Sequence, residues 1–112
     1  MAKVAINGLG RIGRATLKIL MDTPRPTTVQ ELNRVFTKEA ESERYRGVLG
    51  VTTDPVVSSD IIKDTRASVV DLGMSQVVDG DLVKVMSWYD NEWGYSSQLV
   101  REALRIAREI RK

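Results

Sequence analysis

The sequence contains no cysteine and no histidine among its 112 residues. The absence of cysteine excludes disulfide bonds, a thiolate nucleophile and thiolate-bound metals, and the absence of histidine removes the commonest general base and the commonest metal ligand. Long apolar runs are also missing, since none approaches the ~20 residues that a membrane-spanning helix needs. We therefore expect no metal site and no membrane partner. We also expect a cytoplasmic protein, because the N-terminus runs into a predicted strand and not a signal peptide.

Length and charge narrow the class of protein further. A chain of 112 residues supports one small domain and not two separate cores. It carries 17 Lys and Arg against 15 Asp and Glu, a formal charge of +2. The basic residues concentrate in the last dozen positions, where they alternate with Glu102 and Glu109. This pattern favours a solvated helix face over an anion-binding patch, and nucleic-acid binding is not expected.

The first 24 residues have the pattern of a strand, a glycine turn and a helix. An apolar run at residues 3–7 leads directly into Gly8-x-Gly10-x-x-Gly13, which opens a helical pattern that ends near Pro24. Its apolar positions are Ile12, Ala15, Ile19 and Leu20. In this context the glycines allow a tight turn, a close backbone approach to a pyrophosphate, and close packing of helix on strand. The alternative interpretation is a close-packed turn that binds no ligand.

The remaining residues predict a capped helix, several strands and a final helix. Thr28 and Glu31 form a capping-box pattern, followed by a stripe of apolar residues: Val29, Leu32, Val35, Phe36 and Ala40. Strand-like runs follow at residues 47–53, 56–62, 68–78 and 82–89. Asp79-Gly80 predicts a hairpin turn that makes the last two runs antiparallel neighbours. Ser96 or Ser97 is expected to cap a final helix with Leu99, Ala103, Ile106 and Ile110 on one face.

Two signatures carry a resemblance to a known family. They are the segment Trp88-Tyr89-Asp90-Asn91-Glu92-Trp93-Gly94-Tyr95-Ser96 and the opening Lys3-Val4-Ala5-Ile6-Asn7-Gly8-Leu9-Gly10-Arg11-Ile12-Gly13-Arg14. Both resemble the glyceraldehyde-3-phosphate dehydrogenase family, and residues 25–33 and 47–60 are similar to its late catalytic-domain region. The resemblance implies a remnant of the dinucleotide-binding βα unit at residues 1–24. Residues 25–112 would be a remnant of the catalytic domain with the C-terminal helix, both within one compact unit.

The fold class expected from these elements is α/β with α+β character. It combines the N-terminal strand, glycine turn and helix with a capped helix, three to five mostly antiparallel strands and a C-terminal helix. The first strand lacks the parallel neighbours that the family would supply, so it is expected to join a sheet edge or to pair with a second chain.

The resemblance also implies a set of cofactor-binding residues. Those at the pyrophosphate are Gly8, Gly10, Arg11, Ile12 and Gly13. Asn91 would hydrogen-bond the carboxamide of nicotinamide, with Tyr95 packed beside it, although the aromatic residues of this segment can also be read as structural. A ribose-binding acid is expected about 20 positions beyond the glycines, but Glu31 and Asn33 there fall in a predicted helix. Binding of NAD is therefore expected to be weak or lost, with pyrophosphate as the part of the ligand that is held.

The family's reaction runs through a cysteine thiolate assisted by a histidine, and this chain has neither. No catalytic residue is therefore assigned. The sequence predicts a shortened relative of a glycolytic, NAD-dependent oxidoreductase that lacks catalysis as it stands. Because the family is oligomeric, the alternative is an interaction module that associates with intact dehydrogenase subunits or with itself.

Overall fold

The computed structural model of the protein describes residues 28–79 and 82–111. The predicted N-terminal strand, glycine turn and first helix lie outside the described residues, and so does Gly80. The two α-helices of the described part are α1 (Val29–Glu41) and α2 (Trp93–Ile110). Its strands are β1 (Leu49–Thr52), β2 (Ser68–Asp71), β3 (Gln76–Val78), β4 (Leu82–Lys84) and β5 (Ser87–Trp88). Two 3₁₀ turns span Ser58–Ile61 and Leu72–Met74.

Helix α1 begins where the capping pattern predicts. The hydroxyl of Thr28 accepts a hydrogen bond of 3.1 Å from the amide of Glu31, which satisfies one of the donors that a helix start leaves unpaired. Leu32 is the buried residue of the apolar stripe, whereas Val35 is exposed at its edge. Helix α1 packs on β1, and its Asn33 donates a hydrogen bond of 3.0 Å to the carbonyl of Leu72.

A mixed sheet of three strands holds the core, with β2 in the centre between β1 and β5. Strand β1 is parallel to β2, and β5 is antiparallel to it. Val69 and Val70 on the central strand are almost completely buried, and Leu32 and Ile61 complete the set of buried apolar side chains among the described residues. The two β-branched residues Val69 and Val70 suit a central strand that is covered on both sides. The expected α+β fold with mostly antiparallel strands is confirmed.

The predicted hairpin is confirmed as a long antiparallel ribbon that is interrupted once. Strands β3 and β4 form its outer part, with Val78 opposite Leu82, and β2 and β5 form its inner part, with Val70 opposite Ser87. Between the inner and outer pairs, the arm that contains β2 and β3 has five intervening residues, whereas the arm that contains β4 and β5 has two. The extra residues form the 3₁₀ turn Leu72–Met74, which bends the ribbon and ends the continuous pairing.

The prediction of a strand at residues 56–62 is wrong. This stretch contains the 3₁₀ turn Ser58–Ile61 instead. The carboxylate of Asp60 accepts a hydrogen bond of 2.8 Å from the amide of Val57, which closes the chain locally. Acidic side chains compete in this way with the backbone pairing that a strand requires.

The predicted start of the last helix is also wrong. Helix α2 begins at Trp93, so Ser96 and Ser97 lie within its first turns, and Ser96 donates its hydroxyl hydrogen to the carbonyl of Glu92 at 2.7 Å. The acceptor at the helix start is Asp90, which precedes the expected cap by several positions. No helix in the described part of the chain is both long and apolar enough to cross a membrane.

Candidate functional site

The segment that joins β5 to α2 contains Asn91 and is held in place by its neighbour Asp90. One carboxylate oxygen of Asp90 accepts hydrogen bonds from the amides of Glu92 and Trp93, and the other accepts one of 2.9 Å from the amide of Lys63. The amide hydrogen bonds from Trp93, Lys63 and Glu92 lower the pKa of Asp90 below its ordinary value. A negative charge at this position also suits the positive end of the helix dipole. The loop is thereby fixed to two separate parts of the chain.

Lys63 reaches Asp90 because its backbone lies in the left-handed region, with φ of 66°. This conformation is uncommon for a residue with a side chain. It turns the amide of Lys63 toward a carboxylate that is 27 residues further along the chain. Nothing in the local sequence around Lys63 predicts this contact.

A second anchor of the same segment is the indole of Trp88. Its ring nitrogen donates a hydrogen bond of 3.0 Å to the carboxylate of Asp71, which is almost completely buried. The other oxygen of Asp71 accepts a hydrogen bond of 3.2 Å from the amide of Met74. Both carboxylate oxygens of Asp71 therefore have partners, and this buried acid is part of the fold.

Asn91 itself lies beside a shallow pocket of about 420 Å³. The pocket is lined by Ser58, Ser59, Ile61, Ile62, Tyr89, Asp90 and Asn91. Asn91 is exposed, and its side-chain amide makes no hydrogen bond with another described residue. An asparagine amide can donate and accept at once. The structure thus presents an unoccupied donor and acceptor pair at the rim of a pocket with apolar and hydroxyl walls.

The aromatic residues around Asn91 have different environments. Trp88 is half-buried, whereas Tyr89, Trp93 and Tyr95 are each about half exposed or more. The interpretation of this segment as structural aromatic residues therefore holds for Trp88. Tyr95 does not line the pocket beside Asn91. The predicted pyrophosphate-binding residues Gly8, Gly10, Arg11, Ile12 and Gly13 lie outside the described residues, and their assignment stays a prediction.

Arg66 is a positioning residue that the sequence analysis did not identify. Its guanidinium donates two hydrogen bonds, of 3.0 and 2.7 Å, to the carboxylate of Asp64. This hydrogen bonding lowers the pKa of Asp64 and raises the pKa of Arg66. The side chain of Arg66 covers Gly50 of β1, and its backbone carbonyl lies against Gly94 of α2. Arg66 thus sets the distance between the sheet and the helix that follows the Asn91 loop.

The described acidic side chains near the pocket do not form a cluster. Within residues 28–79 and 82–111, no three acidic side chains come together in a group that could hold a metal ion. The acids near the pocket are already engaged with backbone amides, as Asp60 and Asp90 are. The site offers amide, hydroxyl and apolar groups to a ligand.

Comparison with known proteins identifies the context of this site. The sequence profile described as "Glyceraldehyde 3-phosphate dehydrogenase, C-terminal domain" matches residues 13–91, a stretch that ends on Asn91. The chain belongs to the glyceraldehyde-3-phosphate dehydrogenase family. The matched residues include the mixed sheet, both 3₁₀ turns and α1, so the fold described above is the one that this C-terminal domain contributes.

Individual glyceraldehyde-3-phosphate dehydrogenases show the same similarity. Glyceraldehyde-3-phosphate dehydrogenase 2 of Streptomyces avermitilis is 46% identical over 98 residues, which are 88% of this chain and 29% of that protein. The enzyme of Thermotoga maritima is 49% identical over 76 residues, or 68% of this chain and 22% of that protein. The enzyme of Zymomonas mobilis is 41% identical over 86 residues, or 77% and 26%. The chain therefore spans less than a third of the length of these relatives.

The residues that the family profile matches can be compared with the predicted boundary between the two parts of the chain. The profile begins at Gly13, which is the last glycine of the turn motif. Gly8 and Gly10 precede the matched residues, and α2 follows them. The boundary that the sequence places after residue 24 stays a prediction.

Proposed function

We propose that this chain retains the nicotinamide-facing loop of a glyceraldehyde-3-phosphate dehydrogenase and does not catalyse the family's reaction by itself. The observation that carries the proposal is the free amide of Asn91 on a loop that Asp90 fixes at three backbone amides. The fixed backbone of the loop places Asn91 at the rim of the pocket without a ligand, so little backbone entropy is lost on binding. The carboxamide of nicotinamide is complementary to such a donor and acceptor pair.

The expected cofactor is NAD, held mainly through its phosphates. Gly8, Gly10 and Gly13 would allow the backbone to approach the pyrophosphate, and the amides of Arg11 and Ile12 would donate to it. When bound, NAD supplies the hydride acceptor of the family's chemistry. Asn91 and the pocket beside it would receive the nicotinamide end. Because the chain offers no ribose-binding acid at the expected spacing, the affinity is expected to be low.

Loss of catalysis follows from the side chains that this sequence contains. Oxidation of an aldehyde through a covalent intermediate needs an activated nucleophile and a base to take its proton. The sequence has no thiol and no imidazole. Among the described acids, Asp71 and Asp90 are occupied by hydrogen bonds within the fold. We expect no aldehyde-dependent reduction of NAD in the presence of glyceraldehyde 3-phosphate and phosphate.

Calorimetric titration tests the cofactor proposal. NAD, ADP and pyrophosphate are expected to bind weakly, with NAD modestly the tightest because Asn91 adds a contact to nicotinamide. Gly10→Ala should weaken all three because a methyl group blocks the backbone approach. Asn91→Ala should weaken NAD alone, whereas Gln76→Ala, at an exposed amide on β3, should change none of them. Tight NAD binding that pyrophosphate cannot displace contradicts the phosphate-led proposal. Equal effects of Asn91→Ala on NAD and pyrophosphate contradict the assigned role of Asn91.

A second candidate function is association with intact dehydrogenase subunits or with another copy of this chain. The observation in its favour is the β3–β4 hairpin, in which Val78 and Leu82 are at least 40% exposed and neither outer edge pairs with another described strand. Open strand edges with apolar side chains can pair with a further chain. Copurification with full-length enzyme would support this candidate if Val78→Lys abolished it and Val57→Lys, at a similarly exposed apolar residue away from the hairpin, did not.

A further inference from the structure

Helix α2 contacts the rest of the described chain through its polar side. Gln98 donates hydrogen bonds to the carbonyls of Gly47 and Thr65, at 3.1 and 2.9 Å. Arg101 donates one of 2.7 Å to the carbonyl of Arg46. The same side of the helix continues past these contacts, and its last turns are exposed to solvent.

Three arginines lie along this side of α2. Arg101, Arg105 and Arg108 follow at i, i+4 and i+7, a spacing that places them one above another on the helix. Like charges at such a spacing destabilise a helix. Glu102 and Glu109 both pair with Arg105, at 2.7 and 2.6 Å. Arg101 and Arg108 are therefore left without an acidic partner among the described residues.

A fourth arginine comes from the loop between α1 and β1. The guanidinium of Arg44 lies over the ring of Tyr45, with Cζ 5.1 Å from the ring centroid. Stacking of this kind orients the planar group and leaves the N–H groups at its edge free to donate. The side chain of Arg44 makes no ion pair and no hydrogen bond within the described part of the chain. Together with the arginines of α2, it lines a groove of about 800 Å³.

The groove combines positive charge with an apolar wall. Its described lining contains four arginines and one acid, Glu102, which is paired with Arg105. The other lining residues are Val48, Ser97, Gln98, Val100 and Leu104. Arginines that alternate with glutamates indicate a solvated face when α2 is considered alone. The structure changes this interpretation, because both glutamates pair with a single arginine and Arg44 adds a charge from another element.

We propose that this groove binds a small polyanion that carries at least two phosphate groups. A guanidinium can donate two parallel hydrogen bonds to a phosphate, which makes arginine well suited to this ligand. Arg101 is already oriented by its bond to the carbonyl of Arg46, which uses one of its five N–H donors. Arg101 and Arg108 are about 10 Å apart along the helix axis, so one phosphate cannot contact both. A ligand with two phosphates can, and the groove has the volume of a small-molecule site.

Calorimetric titration of the full chain with tripolyphosphate tests the groove. The Gly10→Ala background is used because it weakens the predicted pyrophosphate site, and no groove residue belongs to the glycine turn or to the Asn91 loop. We expect saturable binding that weakens as the salt concentration rises. A hexose bisphosphate, titrated in parallel, distinguishes the source of the phosphates. Tighter binding of the sugar would indicate a phosphorylated metabolite that also contacts the apolar wall, and tighter binding of tripolyphosphate would indicate inorganic polyphosphate.

Substitutions at the two arginines that the fold does not use locate the site. Arg44→Gln and Arg108→Gln should each weaken tripolyphosphate binding about tenfold, because each removes charge-assisted hydrogen bonds. Their melting temperatures should not change, since neither side chain hydrogen-bonds to another described residue. Arg34→Gln is the matched loss of charge at an exposed arginine of α1 outside the groove, and it should leave the affinity unchanged. Equal effects of the three changes, or no saturable binding to the starting protein, would overturn the proposal.

A change of the opposite sign gives an independent measurement. Glu102→Gln removes the acid from the groove and releases one of the two ion pairs of Arg105, so it should tighten tripolyphosphate binding severalfold. Glu39→Gln, on α1 and outside the groove, should have little effect. Nuclear magnetic resonance of the side-chain N–H groups should show tripolyphosphate-dependent shifts at Arg44 and Arg108. A Glu102→Gln protein that binds no more tightly than Glu39→Gln, or shifts confined to arginines outside the groove, would contradict the assignment.

Discussion

Gly94 of α2 lies so close to Arg66 that a β-carbon at Gly94 would be 2.8 Å from the carbonyl oxygen of Arg66. The neighbouring atom belongs to the backbone, so it cannot move aside as a flexible side chain can. This contact seats the start of α2 on the loop before β2 and fixes the direction in which the Asn91 loop leaves β5. The role of Gly94 is therefore to allow close packing.

The first prediction is that Gly94→Ala destabilises the protein. Alanine is the better helix former by about 1 kcal/mol, but overpacking at a rigid contact typically costs 1–3 kcal/mol. We expect a lower free energy of unfolding in urea. Gly73→Ala serves as the control, since a β-carbon there would meet its nearest neighbour at an ordinary 3.5 Å. A Gly94→Ala protein as stable as the control would show that α2 is not seated on Arg66.

The second prediction concerns the hydrogen bond between Trp88 and the buried carboxylate of Asp71. Trp88→Phe keeps an aromatic ring but removes the donor, and a buried acceptor without its partner costs about 1–3 kcal/mol. The free energy of unfolding should fall by that amount. Trp93→Phe is the matched change at an exposed tryptophan whose indole makes no hydrogen bond within the described residues, and it should have little effect. Equal losses in the two variants would argue against the hydrogen bond as the cause.

The third prediction is a pH dependence that arises from Asp90. Hydrogen bonds from backbone amides lower the pKa of Asp90 in the folded state below its ordinary value of 3.8. A carboxyl with a depressed folded pKa contributes stability above its unfolded pKa and loses it as the pH falls through the folded value. The unmodified protein should therefore exceed Asp90→Asn in melting temperature at pH 7, and the difference should shrink below about pH 4.

The control for this pH dependence is Asp54→Asn, which removes an exposed acid whose carboxylate accepts no hydrogen bond within the described part of the chain. Its difference from the unmodified protein should be small at neutral pH. A melting-temperature difference for Asp90→Asn that stays constant from pH 7 to pH 2 would mean that the carboxylate charge is not the source of the effect.

The fourth prediction concerns the polar attachment of α2 through Gln98. Gln98→Met preserves the length of the side chain but removes the donor to the carbonyls of Gly47 and Thr65. The loss should be about 1 kcal/mol, because both carbonyls can still reach water. Faster hydrogen exchange is expected in the first turns of α2, measured by mass spectrometry. Gln76→Met, at an exposed residue of β3, should leave α2 unchanged, and the same result for Gln98→Met would contradict the proposed attachment.

Local sequence patterns predicted the elements whose stabilising contacts are local. Thr28 and Glu31 are three residues apart, and the hydrogen bond between them marks the start of α1. The hairpin around Asp79 was predictable for the same reason, because its strands adjoin the turn, and Asp79 has a φ of 51° in the structure. The prediction of a strand at residues 56–62 was wrong. It relied on the β-branched residues of this stretch, but the carboxylate of Asp60 closes the backbone into a turn.

The sequence by itself determined the family, the two helical stripes, the hairpin and the absence of a thiol and an imidazole, since each depends on residue identity or on short spacing. Only the tertiary structure assigned Asp90 to Lys63, Trp88 to Asp71 and Gly94 to Arg66. These pairs are separated by 27, 17 and 28 residues, and no periodicity records contacts at such distances. The structure also decided that α2 turns its polar side inward. A helical pattern specifies an apolar face but leaves the surface that covers it to the rest of the fold.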